Sequence, residues 1–101
     1  MENWPFDQPE NCATIVSRTV LEGRASILQV SHDEDDHGWQ FLDNETVEAE
    51  QAAIVCLSHI VALDPSVIEV ADLEPGWIAT RSHGGAAWVR KLAPPELEDD
   101  A

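Results

Sequence analysis

Two histidines, His32 and His37, enclose four consecutive acids, Asp33, Glu34, Asp35 and Asp36, and Gly38 closes the run. Imidazoles suit zinc or copper and carboxylates suit calcium or magnesium, so metal binding, or metal-assisted hydrolysis, is the chemistry these residue types offer. The calcium-loop pattern fails here. Counted from Asp33, Gly38 falls correctly at the sixth position, but the twelfth is Asn44 instead of Glu. A strand also follows the run where a calcium loop needs a helix. The run reads better as a solvated turn that touches a partner, and no metal is assigned to it.

The other reactive side chains are scattered. Cys12 and Cys56 lie in apolar surroundings, where a thiol behaves as a small hydrophobe, and both are expected to be buried and reduced. A nucleophilic cysteine would need an electropositive, exposed setting and a base within reach, which neither sequence context supplies. His59 reads as a partly buried helix residue, and His83 stands on a turn beside Gly84 and Gly85. Those two glycines form no phosphate cradle, because neither glycine-rich phosphate motif surrounds them and no helix follows. Trp39, Trp77 and Trp88 fall in strand-like segments, and Trp39 adjoins the acidic run, where it would form an aromatic anchor inside a charged rim.

The elements that must position these residues follow from periodicity and turn chemistry. Residues 12–17 form a β-rich run, and residues 19–23 lead through a turn at Gly23 into a second strand over 26–31. The alternation of Trp39, Gln40 and Phe41 makes a third strand, so the two flank the acidic turn as a hairpin. Residues 44–53 are acidic and alanine-rich, and fit either a short helix or an irregular loop. A compact apolar run over 53–57 fits a buried strand, and residues 58–63 a helical turn or two ended by Asp64 and Pro65. Asp64 then caps a second helix with Pro65 in its first position, placing Val67, Ile68, Val70 and Ala71 on one side. Residues 77–80 and 87–91 give further strands. Together these predict a small single α+β domain, a mainly antiparallel sheet of about five strands with two short helices. Residues 1–11 read as an N-terminal arm that Trp4 and Phe6 can pin to the body, residues 12–92 as the folded domain, and residues 93–101 as a disordered acidic tail.

Charge narrows the function more than any motif. Twenty acids against five bases leave a formal net charge of −15, while apolar residues at 44% of the chain supply a core that a disordered protein lacks. A surface of this sign repels nucleic acid and anionic membranes, both of which demand Lys and Arg. It attracts a basic protein. The N-terminal residues carry neither the basic nor the apolar region of a secretory signal, and no apolar run is long enough to span a bilayer, so the cytoplasm is the expected location.

Several segments together resemble one family: Val16 and Ser17, then Val20 to Gly23, the acidic run into Gly38, Trp39, Gln40, Phe41 and Leu42, the Asp64, Pro65, Ser66 step, and the closing Trp88, Val89 and Arg90. They resemble the immunity protein of the thirty-third type, a bacterial domain grouped with polymorphic-toxin systems, over most of residues 12–91. The resemblance implies neutralisation of a cognate toxin by direct binding, and it carries over no catalytic residue and no cofactor. From charge and exposure alone, the partner-binding residues are expected to be Asp33, Glu34, Asp35, Asp36, Trp39, Asp43, Glu45, Glu48 and Glu50. Nucleic-acid mimicry is a variant of that reading. Two rivals stand beside it: a metal-binding or hydrolytic enzyme using His32, His37 and their carboxylate neighbours, and a housekeeping domain whose acidity serves only solubility.

Overall fold

A row of fully buried side chains, Val16, Phe41, Val30 and Ala79, runs across four neighbouring strands and marks the core. It is seen in a computed structural model that describes residues 4–6, 8–34, 38–43 and 52–92. In chain order the elements are β1 (Ala13–Ser17), α1 (Arg18–Leu21), β2 (Gln29–His32), β3 (Trp39–Leu42), β4 (Ala52–Cys56), α2 (Leu57–Leu63), a 3-10 helix (Pro65–Val70), β5 (Trp77–Thr80) and β6 (Val89–Leu92). One small α+β domain results, with a sheet ordered β4-β1-β3-β2-β5-β6. Among the described residues the sheet therefore has six strands instead of about five, and the helices are three short ones instead of two. It is mixed, because β1 runs parallel to β3 in its middle while every other pair is antiparallel.

Alternation along the strands builds the two faces. Val16, Phe41, Val30 and Ala79 turn to one side, where Leu57 and Ile60 of α2, Val67 and Val70 of the 3-10 helix, and Val20 of α1 cover them. Ile15, Gln40, Ser31 and Ile78 make the paired row on the other side, which the described helices leave uncovered. The hairpin of β2 and β3 forms as expected, with His32 opposite Trp39 next to the turn.

Three expectations are corrected. The strand predicted over 53–57 is not a buried one: β4 lies at the edge of the sheet, and Ile54 is 73% exposed. The predicted second helix begins as foreseen, with Asp64 Oδ1 accepting from the Ser66 amide at 3.1 Å and Pro65 in first position. It winds as a 3-10 helix, however. Three residues per turn stack Val67 and Val70 on the core, with Leu73 three positions on, and leave Ile68 exposed. The stretch after Ser17 forms α1, a single turn too short to show helical periodicity in the sequence.

The N-terminal segment joins the core. Phe6 is buried and packs edge-on against Trp39 with ring centroids 5.1 Å apart, and the Trp39 indole donates to Gln8 Oε1 at 2.7 Å.

At the far end of β5 a buried cation ties the layers together. Arg81, 6% exposed, donates to the Ile27 carbonyl at 2.9 Å, to Ser66 Oγ at 3.0 Å and to Asp64 Oδ2 at 2.9 Å. Its guanidinium lies 4.1 Å from the centre of the Trp88 ring. Removing one member of such a pair strands the other charge in poor solvation. Arg81→Ala is therefore expected to cost about 3–5 kcal/mol in urea unfolding, and Asp64→Asn, which leaves the more deeply buried guanidinium without its counter-charge, a loss of the same order.

Candidate acidic binding surface

Topology gathers acids at one end of the sheet. β2 ends and β3 begins at the acidic turn, closed by the Asp33 amide donating to the Gly38 carbonyl at 2.8 Å. Because β1 runs parallel to β3, its first residue reaches the same end, and the antiparallel pairing of Ala13 with Cys56 brings the last residue of β4 there too. β5 begins at that end, with Trp77 opposite His32. Glu34 and Glu74 are exposed here, and so is Glu10, whose carbonyl accepts from the Ser58 amide at 3.0 Å. None of Glu10, Glu34 and Glu74 is a sequence neighbour of another.

His32 fixes the connection that carries Glu74. Its ring is buried and stacked on Trp39, with centroids 4.0 Å apart, and its Nδ1 donates to the Leu73 carbonyl at 2.6 Å. A carbonyl only accepts, so the proton sits on Nδ1. The Gly76 amide returns a bond to the His32 carbonyl at 2.7 Å. Gly76 adopts φ +89°, and a Cβ there would stand 3.6 Å from Glu34 Oε1, so the chain passes close beside the Glu34 side chain.

The expected contact residues divide sharply. Glu34 is exposed, whereas Asp33 is half-buried and held by Gln40 Nε2 at 3.0 Å and by Ser31 Oγ at 3.3 Å. Trp39 is not a surface anchor: at 2% exposure it belongs to the core, beneath Phe6 and Gln8 of the N-terminal segment. Asp43 is not a contact either. It is 7% exposed and accepts from Thr19 Oγ1 at 2.5 Å and Ser17 Oγ at 3.4 Å, bracing the end of β3 against the end of β1. Asp35, Asp36, His37, Glu45, Glu48 and Glu50 lie outside the described residues. Glu10 and Glu74 were missed because only the strand order reveals that they share an end with Glu34.

Of the bases, the exposed Lys91 lies close to this end, because the antiparallel pairing of β5 with β6 sets Leu92 opposite Trp77 and Lys91 opposite Ile78, while three arginines are engaged by carboxylates. Arg24 pairs with Glu22 at 2.6 Å, Arg81 with Asp64, and Arg90 with Asp72 at 2.7 Å. Hydrogen bonding and the charge of Arg90 hold the Asp72 carboxyl below the usual carboxylate range. Both partners of that pair are substantially exposed, so it contributes little to stability.

The remaining candidates resolve individually. His59 is exposed on α2 instead of partly buried, and His83 is exposed on its turn. Cys12 and Cys56 are half-exposed free thiols, not buried ones, since β4 at the edge leaves this side of the sheet open. The register sets Ala13, not Cys12, across from Cys56. Cys56 precedes α2 with its Sγ 3.3 Å from Ser58 Oγ, and that bond, followed by the His59 backbone amide, lowers the thiol below its usual range. Among the described residues, no three His, Cys, Asp or Glu side chains are placed to hold a metal ion. No helix among them is long and apolar enough to cross a membrane.

Two measurements check this geometry. His32→Phe keeps the aromatic stack but orphans the Leu73 carbonyl, and should cost about 1–3 kcal/mol while accelerating amide exchange at Gly76. Ser58→Ala removes the bond that favours the Cys56 thiolate, so the pH midpoint for alkylation of Cys56 by iodoacetamide should rise. At neutral pH the rate should fall, because only the thiolate reacts.

Compared with protein-family models, with curated proteins and with solved structures, the chain matches none.

Proposed function

We propose that this chain is a non-catalytic binding protein that captures a basic protein partner through the acidic end of its sheet. The observation that carries this reading is the convergence of Glu10, Glu34 and Glu74 on one end, in a chain of net charge −15. At least three of its five bases, Arg24, Arg81 and Arg90, are already paired with its own carboxylates. Fixed charge of one sign at one end of a domain accelerates and orients the encounter with an oppositely charged surface, and salt weakens that attraction. Nucleic acid and anionic membranes carry the wrong sign for such a surface. The resemblance to the immunity protein of the thirty-third type gives the reading its biological form, a protein that occupies and neutralises a basic toxin. Cytoplasmic residence belongs to the same reading and is supported by two thiols left unbridged.

The test is affinity capture from the source cells at low and moderate salt, with the wild-type chain and a Glu34→Lys, Glu74→Lys variant side by side. A basic protein held at low salt, released at moderate salt and missing from the variant is the expected result. If the wild-type chain retains no such protein, the acidity serves solubility and the reading falls.

A further inference from the structure

The two edges of the sheet are treated differently by the sequence. β6 carries Arg90 and Lys91 in mid-strand, and Pro94 and Pro95 follow it shortly in the sequence. Charge and proline are the devices by which proteins stop an edge strand from pairing with another chain. β4 has neither. Its five residues, Ala52–Cys56, are uncharged, and they pair with β1 without a bulge over their whole length. Ile54 at its centre is the most exposed of the large apolar side chains among the described residues. Directly across from it stands Ile15, 38% exposed, on the face that the described helices leave bare.

An unblunted apolar edge is a template for strand addition: the backbone supplies the hydrogen bonds, and neighbouring side chains supply selectivity. The Cys56 end of β4 lies at the acidic end of the sheet, where the Glu10 carbonyl accepts from the Ser58 amide. A second copy of this chain would bring another fifteen negative charges to the contact and be repelled. An extended segment of opposite sign would be drawn in.

We infer that β4 accepts an extended segment of a basic protein as a seventh strand, with apolar side chains against Ile54 and Ile15 and Lys or Arg toward Glu10. The sign of the partner's charge rests on the binding function proposed above; the edge itself does not.

The probe is a capped synthetic peptide of alternating Val and Thr around one Ile, with two Lys at one end. It is compared with a version bearing Glu in place of Lys and with a version N-methylated at alternate amides, each added to the full chain. The Lys peptide should slow amide exchange across residues 52–56 about tenfold at saturation, and the other two should not. Ile54→Lys should abolish the effect without lowering the melting temperature, because this side chain already faces solvent. Unchanged exchange in β4 overturns the inference, and so does equal action by the N-methylated peptide. An Ile54-dependent dimer in sedimentation at high salt, with β4 unresponsive to the peptide, gives the edge to a second copy instead. The two readings fail separately: a captured basic protein that binds Ile54→Lys as well as wild type removes the strand-addition site alone. Protection of β4 by the Lys peptide with no protein captured removes the proposed function alone.

Discussion

Arg81 is a cation enclosed in a protein that has few, and three separate segments must meet to satisfy it. The loop before β2 offers the Ile27 carbonyl, the cap of the 3-10 helix offers Asp64 and Ser66, and the approach to β6 offers the Trp88 ring. A guanidinium out of water tolerates no missing acceptor, so these segments have to arrive together or not at all. That requirement fixes the 3-10 helix over the core face and sets where β5 stops. The opposite end of the sheet, anchored by His32, is then left to display charge.

Polar residues thus divide by burial into two kinds of work. Asp43, His32 and Trp39 spend their hydrogen-bonding capacity inside the fold, on Ser17 and Thr19, on Leu73 and on Gln8 respectively. Glu10, Glu34 and Glu74 remain at the surface. Carboxylates in water contribute to a common field without needing a shared hydrogen-bond geometry, so side chains from distant parts of the chain can act as one surface.

Much of the local structure was legible in the sequence. Alternation in β2 and β3 specified their hairpin, and Asp64 with Pro65 announced the start of a helix, because those signals act within a few residues. What escaped depended on distant partners. Trp39 looked like a surface anchor until Phe6 and Gln8, more than thirty positions earlier, were seen to cover it. Asp43 looked like a free acid because Ser17 and Thr19 lie on another element. The apolar composition of β4 gave no sign that its place in the sheet would leave it at the edge, and the shared end of Glu10 and Glu74 follows only from the parallel pairing of β1 with β3.

That parallel pairing also bears on how the chain reaches its structure. β1 is synthesised first, yet its neighbours on either side, β3 and β4, are both synthesised later. The hairpin of β2 and β3 can zip by local contacts, whereas β1 must close long loops to dock on one strand and then wait for the other. Topologies rich in such distant pairings fold slowly for their size. On the ribosome the sheet cannot be completed around β1 until Cys56 has emerged, so the first of the described strands to leave the tunnel gains its second neighbour only after the β2–β3 hairpin has been made, and β2 and β5 wait longer still.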